Sequence, residues 1–222
     1  MNLKILSKSD QNLKFEANSR NFIILENLND LNFDLGSDCE LNVVAILSSA
    51  SDKVVNWQVN FLGENSKATC YLILVGKESN NFMINTYYNH LKGSCESVCN
   101  VRSVLFDKSK FDYRGLLKIA KGAQLTNSSL KHHTILLSEF AKVNTIPSLE
   151  IEANDVKAGH AVTIGGIDEE MLFYLQSRGI EKDSAIKLLI KGFLVSDVSM
   201  VEDEKAREMV IGKVERIVSC NP

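Results

Sequence analysis

The chain has 222 residues, of which 45% are hydrophobic and 24% charged, a composition typical of a globular rather than a disordered protein. Its net charge of -3 gives the chain no overall basic character, so we expect no nucleic-acid partner bound through phosphates. No apolar run approaches the roughly 20 residues that a membrane helix needs. No charged segment followed by an apolar run opens the sequence, so we expect no signal peptide and a cytoplasmic location.

The five cysteines have no zinc-ribbon spacing, which together with the missing signal favours reduced thiols over a disulfide framework. They are Cys39, Cys70, Cys95, Cys99 and Cys220. Cys95 and Cys99 are four residues apart and would meet on a helix, but the surrounding sequence is typical of a strand or loop.

Short runs that alternate apolar and polar residues fill the first two thirds of the chain and predict β-strands. Examples are residues 22–25, 41–47, 55–61 and 68–75, with further strands expected at 111–119, 130–137 and 143–151. The first proline is Pro147, so nothing before it forbids continuous strand pairing. Pro147 itself interrupts the last run and predicts an edge or a corner there.

Many short strands at close spacing fit either an antiparallel sandwich or a parallel β-helix. The sequence lacks the clean short repeat of the simplest solenoids. Asparagine is frequent, and it tolerates left-handed corners and stacks in ladders, which suits a solenoid. Both architectures stay open on these patterns alone.

A helical pattern begins at Asp168, a residue type whose carboxylate accepts the unpaired N–H groups of a first helical turn. Glu169 and Glu170 follow at the positive end of the helix dipole. Gly179 is placed to end this helix, with Ile180 folding back on Leu175.

Two further helices are predicted, one from about Lys182 to Leu194 and one from about Glu202 to Ser219. Their apolar stripes repeat every three to four residues. These stripes either pack on each other and on the end of the β domain, or leave part of the second helix for another protein.

Between Phe106 and Leu194 the chain carries a set of motifs in a fixed order and spacing that resembles the SufB/SufD family of iron–sulfur cluster assembly scaffold proteins. The motifs are Tyr113-Arg114-Gly115, Pro147-Ser148-Leu149-Glu150-Ile151, Asn154-Asp155-Val156-Lys157, Gly159-His160, Gly165, Asp168-Glu169-Glu170, Leu172-Phe173-Tyr174-Leu175, Ser177-Arg178-Gly179-Ile180, Ala185 and Gly192-Phe193. Eight of these residues are expected in structural roles: Tyr113, Arg114, Gly115, Pro147, Asp168, Tyr174, Arg178 and Gly179. The resemblance implies a mostly β protein, with a right-handed parallel β-helix over residues 1–166 and a small α-helical domain over 167–222. It also implies that the family's N-terminal helical region is missing.

Within the family, the chain is similar to the D type. B-type members tend to carry a glutamate directly after the histidine at His160 and a cysteine where His132 stands, and this chain has Ala161 and His132 at those places. Ala158 stands where D-type proteins often have a cysteine, so a thiolate ligand beside His160 is not expected from this chain.

The resemblance implies a non-enzymatic scaffold subunit that pairs with a B-type scaffold through the β-helix. It also implies binding to the SufC ATPase through the second C-terminal helix, for which Ile186, Leu189, Ile190 and Phe193 are the candidate contacts. The alternative is a homodimeric scaffold that assembles a cluster on its own histidines and cysteines. The sequence has no P-loop motif, so any ATP used by the complex is expected to bind the partner ATPase.

His160 is the leading candidate for iron or cluster chemistry, since a neutral imidazole can ligate iron. His132 and His133 are further candidates, and as neighbours on a strand they would point to opposite faces. No cofactor is expected to bind the chain stably. Iron or an iron–sulfur cluster would be held transiently at a subunit interface, with further ligands from a partner chain.

Overall fold

The computed structural model describes residues 2–5, 11–50, 53–198, 201 and 203–219. Thirteen strands precede three helices in this part of the chain. They are β1 (Asn2–Ile5), β2 (Asn12–Phe15), β3 (Arg20–Leu25), β4 (Leu31–Leu35), β5 (Glu40–Leu47), β6 (Val55–Phe61), β7 (Lys67–Gly76), β8 (Asn81–His90), β9 (Glu96–Leu105), β10 (Lys110–Ile119), β11 (Asn127–Leu136), β12 (Lys142–Ile151), β13 (Lys157–Gly165), α1 (Glu169–Ser177), α2 (Lys182–Val195) and α3 (Glu204–Ser219).

Successive strands fall alternately into two parallel sheets, so each coil of the chain adds one strand to each sheet. The odd-numbered strands form sheet 1 in the order β1-β3-β5-β7-β9-β11-β13, and the even-numbered strands form sheet 2. Parallel pairing between strands that are two apart in sequence is the pattern of a β-solenoid. The β-helix is therefore confirmed, and the antiparallel sandwich is wrong.

The coils differ in length, which explains why no short repeat is visible in the sequence. In sheet 1 the register pairs Arg20, Glu40, Lys67, Glu96, Asn127 and Lys157 in succession, at offsets of 20, 27, 29, 31 and 30 residues. The strands stay aligned while the corners between them absorb the difference. A search for a fixed period therefore finds nothing.

The two sheets differ in their sequence pattern because only one has an outer face that is covered. The inward residues of both sheets form the solenoid core, for example Leu35, Phe61 and Leu72. Outward residues of sheet 1, such as Ile24, Val44 and Ile73, pack beneath α2 and α3. In β3, β5 and β7 of sheet 1, apolar runs are thus buried on both faces, whereas β8 and β10 of sheet 2 alternate.

The frequent asparagines occupy the two kinds of position that were predicted for a solenoid. Asn18 and Asn65 have φ of 60° and 58° at the corner before sheet 1. On the outer face of sheet 2, Asn89 Nδ2 donates to Asn60 Oδ1 at 2.9 Å, and Asn60 donates to Asn32 at the same distance. These ladders tie successive coils together through side chains as well as through backbone.

Leu125 is a leucine in a corner column that elsewhere holds residues suited to left-handed backbone. The column runs Asn18, Asp38, Asn65, Ser94 and Leu125, and Leu125 has φ of 62° with 62% of its surface exposed. A left-handed backbone costs roughly 1 to 2 kcal/mol for an ordinary L-residue, and asparagine tolerates it better. Its backbone N–H donates to Asp155 O at 2.6 Å, which holds the strained conformation.

We therefore expect Leu125→Asn to raise the free energy of unfolding by about 0.5 to 1 kcal/mol. Urea unfolding of the two proteins measures the difference. Leu91→Asn is the matched control, because Leu91 is also exposed but has an ordinary φ. An equal gain in both variants would show that removing an exposed leucine, not relieving the backbone, is the cause.

The first helix begins and ends as predicted. Asp168 Oδ1 accepts the N–H of Met171 at 2.9 Å, and Gly179 follows the helix with φ of 85°. The N–H of Ile180 donates to Leu175 O at 3.2 Å, which completes the C-terminal cap. The second helix ends at Val195, one residue later than predicted, and Glu202, the predicted start of the third, lies outside the described residues.

The apolar stripes of α2 and α3 pack on each other and on the outer face of sheet 1, rather than on the end of the β-helix. Ile190 and Leu194 of α2 and Val210 and Val214 of α3 are buried with the outward residues of β3, β5, β7 and β9. The prediction was correct about the mutual packing but wrong about which surface of the β-helix the two helices cover.

Candidate functional site: the terminal coil and the helical patch

The last two strands, β12 and β13, form a terminal coil whose interior no further coil of the described chain covers. Each strand pairs with a single neighbour, β12 with β10 and β13 with β11. Inward positions that are buried in earlier coils are exposed here: Leu149 is 37% exposed, Ile151 42% and Ile164 48%. The terminal coil therefore presents two adjacent strand edges and the open apolar interior between them.

Pro147 lies in the middle of β12, where it pairs in register with Gly115. The strand continues through it from Lys142 to Ile151, so the predicted interruption does not occur. The prediction of an edge is confirmed, because β12 is the last strand of sheet 2. An edge strand tolerates proline since one side of its backbone has no neighbour in the sheet.

His160 projects from β13 at an inward register position of the terminal coil. It pairs with Leu130, which is buried in the core of the preceding coil. His160 is exposed and forms no hydrogen bond or ion pair with any described residue. Its neighbours on the strand are the half-buried Ala158 and Val162 and the exposed Ala161, which leave the imidazole accessible from the open end.

His132 lies one coil below, inside the solenoid. Its side chain is 0% exposed, with Nδ1 2.9 Å from Thr145 Oγ1 and Nε2 3.0 Å from Thr134 Oγ1. Its ring packs edge-on against Phe111 and Tyr113. Burial, with a smaller contribution from His133, lowers the pKa of His132 to about 4.

His132 and His160 share the interior face on neighbouring strands, because His132 pairs with Val162, two residues beyond His160. From the strand spacings their Cα atoms lie roughly 8 Å apart. The bond to Thr145, which belongs to β12, makes His132 a support for the terminal coil. Within the described residues, no three His, Cys, Asp or Glu side chains are grouped so that they could hold a metal ion.

His133 points to the outer face of sheet 1, as strand alternation requires of a neighbour of His132. Its Nδ1 lies 2.6 Å from Thr163 Oγ1. Burial, then the positive charge of Arg102, lowers the pKa of His133. It lies at the junction of sheet 1 with α2, where Arg102 Nε donates to Asp197 Oδ2 at 2.6 Å, and it is separated from His160 by the sheet.

The segment with Cys95 and Cys99 is extended, as the sequence around them indicated. Cys95 and Cys99 lie along one strand direction and are therefore about 13 Å apart, instead of adjacent as on a helix. Cys99 instead pairs in register with Cys70 on β7, and both are buried. Their mutual hydrogen bond lowers the pKa of the Cys99 thiol and raises that of Cys70. Cys220 lies outside the described residues.

No sequence signal marked the Cys70–Cys99 pair, because its separation of 29 residues becomes meaningful only once the coil length is known. The same holds for Thr86 Oγ1, which lies 2.7 Å from the hydroxyl oxygen of Tyr113. Together with Tyr88 these groups form a polar line through an otherwise apolar core. Thr86 Oγ1 and Cys99 Sγ both lie within hydrogen-bond distance of the Tyr113 hydroxyl, which lowers the cost of burying these groups.

A second exposed surface, the helical patch, is formed by Met171, Phe173 and Tyr174 of α1 and Leu188 of α2. These residues are 46%, 74%, 51% and 50% exposed, respectively, and α1 has no buried residue at all. Of the four, Met171 also lines a cavity of about 410 Å³ between α1, α2 and β13. Several exposed large apolar side chains on two helices in contact are typical of an interaction surface.

The four residues of α2 that were predicted to contact an ATPase have different environments. Ile190 is 1% exposed and packs against α3 and sheet 1, and Ile186 is partly buried in the same cluster. Leu189 and Phe193 line the cavity beside the helical patch. Phe193 also lies under the Arg102 guanidinium, 5.0 Å from the ring centroid, so it supports the junction between helix and sheet.

The motif residues have structural contacts that explain them individually. Tyr113 is buried in the core, and an added Cβ at Gly115 would lie 2.2 Å from Leu130 Cδ1. Arg178 caps α1 and places its guanidinium 5.2 Å from the Tyr174 ring centroid. Arg114, by contrast, is exposed on the outer face of sheet 2.

Comparison with known proteins gives a family for this arrangement. Residues 14–193 match the family model described as SUF system FeS cluster assembly, SufBD core domain. The chain is 31% identical over 159 residues to the iron–sulfur cluster assembly protein SufD of Escherichia coli K12, covering 72% of this chain and 38% of that protein. It is 29% identical over 183 residues to SufD of Bacillus subtilis 168, covering 82% and 42%.

A more distant relative is the iron–sulfur cluster assembly SufBD family protein ML0593 of Mycobacterium leprae, 29% identical over 147 residues, which are 66% of this chain and 17% of that protein. The chain thus spans about two fifths of the length of the SufD proteins it matches. No helix within the described residues is long and apolar enough to cross a membrane. With its core matched over most of its length, the chain belongs to the SufB/SufD family of iron–sulfur cluster assembly proteins and is SufD-like.

Proposed function

We propose that this chain is a non-catalytic scaffold subunit of a cytoplasmic iron–sulfur cluster assembly complex. It pairs with a B-type scaffold through the terminal coil and binds a SufC-like ATPase through the helical patch. The observation that carries the proposal is the terminal coil: two strand edges and an open apolar interior, with His160 exposed between them.

The terminal coil favours a partner that is itself a β-helix. A long exposed edge is a liability that proteins normally cover, and here β12 and β13 are both uncovered at the same end. A second solenoid end satisfies the edges with backbone hydrogen bonds and buries Leu149, Ile151 and Ile164. His160 then lies at the seam, where iron or a growing cluster as cargo is held with ligands from the partner.

The helical patch suits the ATPase because its side chains are apolar and exposed, and none of them belongs to β12 or β13. Phe173 and Leu188 are the best candidates for direct contact with the ATPase. Both are exposed, and neither belongs to the hydrophobic cluster beneath α2, so replacing them should leave the fold intact. Leu189 and Phe193 form the floor of the adjacent cavity. Dimerisation of the ATPase on binding ATP would then move the two scaffold chains against each other and open the seam.

We expect Phe173→Asp to weaken binding of a SufC-like ATPase at least about tenfold, because a carboxylate replaces an aromatic side chain that the ATPase would bury. Calorimetric titration measures the affinity. Leu62→Asp is the matched control, since Leu62 is 47% exposed at a coil corner. Undiminished binding by a folded Phe173→Asp protein would remove the helical patch as the docking element.

Pairing of two copies through the same terminal coil is the alternative. It is supported by His160, which is exposed and has no hydrogen-bond or ion-pair partner among the described residues. Anaerobic reconstitution with iron and sulfide separates the two. A cluster on the isolated chain that His160→Ala abolishes supports a self-sufficient scaffold. A cluster that forms only with the B-type scaffold supports the mixed complex.

A further inference from the structure

We propose that the corner where β8, β10 and β12 begin is a binding site for a diphosphate-bearing anion. A cavity of about 580 Å³ opens there, bordered by Lys108, Lys110 and Lys142 and by the exposed ring of Phe140. Its size falls within the about 300 to 1,000 Å³ of small-molecule sites. The surface is distinct from the helical patch and from His160.

The register brings like charges together at this corner. Lys110 pairs directly with Lys142 on the next strand and with Asn81 on the previous one. Neighbouring strands are about 4.8 Å apart, and like charges directly opposite each other destabilise a sheet. An anion that bridges the two ammonium groups converts this repulsion into binding.

The three lysines are also unpaired within the described residues. Four other lysines in the same part of the chain, Lys67, Lys118, Lys191 and Lys213, each form a salt bridge with a glutamate. Glu139 borders the cavity but forms no salt bridge with any of the three. The side chains that line the cavity thus carry three positive charges against the one negative charge of Glu139, in a protein whose net charge is -3.

The backbone presents the lysines from fixed positions. The N–H of Lys108 donates to Glu78 O at 2.8 Å, that of Lys110 to Asn80 O at 2.8 Å, and that of Lys142 to Ser109 O at 3.0 Å. These bonds belong to the coil-to-coil ladder, so an arriving ligand has to order only the side chains. Such preorganisation lowers the entropic cost of binding.

The three lysine ammonium groups indicate a ligand with two phosphate groups. Each ammonium offers three N–H donors to phosphate oxygens, and three ammonium groups on two coils exceed what one phosphate needs. Asn81 borders the same cavity, and its Oδ1 has no hydrogen-bond partner among the described residues. Phe140, 58% exposed, offers a face on which a planar ring can stack.

Titration calorimetry with pyrophosphate and with ADP at low salt tests the site on the whole chain. We expect both anions to bind, and Lys110→Gln/Lys142→Gln to weaken each at least about tenfold. The control pair Lys92→Gln/Lys121→Gln makes the same change of charge at other exposed corners and should leave both affinities unchanged. Thermal unfolding checks the fold, and removal of the repulsion should leave the double variant at least as stable as the parent.

Phe140→Ala distinguishes the two sources of the diphosphate. If Phe140→Ala weakens the binding of ADP but not of pyrophosphate, the ligand is a nucleoside diphosphate. If Phe140→Ala binds both anions as tightly as the parent does, the ligand is free pyrophosphate. Absence of binding at millimolar concentration, or an equal loss in the control pair, would overturn the proposal. Tighter binding of a poly-glutamate peptide than of pyrophosphate would also overturn it, because the corner would then be an acidic-protein surface.

Discussion

Lowering the pH from about 7 to about 4.5 is expected to remove about 2 to 3 kcal/mol of stability through His132 and a similar amount through His90. Burial lowers the pKa of each from 6.5 to about 4. Both are 0% exposed, and His90 stacks on Phe61 at 4.0 Å inside the core. The folded chain keeps both imidazoles neutral.

The direction follows from which state binds the proton. Below about pH 6.5 the unfolded chain takes up protons on these histidines while the folded chain does not, so falling pH favours unfolding. The loss grows until the pH reaches about 4, where the folded histidines also become protonated. The stabilisation is fully present above about pH 6.5.

Urea unfolding of the parent and of His132→Gln at a series of pH values isolates the contribution of His132. The variant is less stable near neutral pH because the bonds to Thr145 and Thr134 change, but its stability should fall less steeply with pH. His160→Gln, at an exposed position, is the control and should follow the parent. Parallel curves for the parent and His132→Gln would contradict the assignment.

Because His132 bonds Thr145 of β12, the same protonation also acts on the terminal coil. None of the described Asp or Glu side chains is buried, so a charged His132 would have no counter-charge in the core, and its protonation would weaken the contact between the last coil and the one beneath it. If the terminal coil binds a B-type scaffold as proposed, we expect that binding to be lost at a higher pH than the fold.

Gly115→Ala is expected to destabilise the chain by about 2 to 3 kcal/mol, because the added methyl group has no room. The new Cβ would lie 2.2 Å from Leu130 Cδ1 and 3.0 Å from the Tyr113 hydroxyl oxygen, and both side chains are fully buried. Leu130 in turn supports His160 from the coil beneath. The close packing of Leu130 and Tyr113 beneath His160 thus explains why residue 115 of the Tyr113-Arg114-Gly115 motif is a glycine.

A double-mutant cycle tests that explanation. Leu130→Ala alone should cost about 2 to 5 kcal/mol for the lost contacts. Gly115→Ala added to Leu130→Ala should cost less than about 0.5 kcal/mol, because the clash has been removed. Gly122→Ala is the control, since nothing lies within 4 Å of its added Cβ. Additive costs would show that the strain at Gly115 lies in the backbone and not in its contact with Leu130.

Local features of the chain were predictable because they depend on neighbouring residues. The cap at Asp168, the end of α1 at Gly179 and the strands at 41–47 and 55–61 all follow from short patterns. The parallel arrangement did not follow from those patterns, and only the family resemblance separated it from a sandwich. Unequal coil lengths hide the repeat that would otherwise have decided it.

The site was predictable only in part. His160 was singled out by a motif, and its exposure at the end of the solenoid is a property of the last coil that no local pattern encodes. His132 looked equivalent to His133, yet one is sealed in the core and the other lies at the junction with α2. Strand alternation predicts that the two side chains point to opposite faces. Only the packing of the helices on sheet 1 determines the environment of the outward one.

The central claim is that the terminal coil pairs with a B-type scaffold while the helical patch binds the ATPase. Size-exclusion chromatography with light scattering, on the chain mixed with a B-type scaffold and a SufC-like ATPase, tests both contacts at once. We expect one complex containing all three proteins, and a Leu149→Asp/Ile151→Asp variant that keeps the ATPase but loses the scaffold. A chain that elutes alone in the presence of both partners, or a variant that still pairs with the scaffold, would contradict the claim.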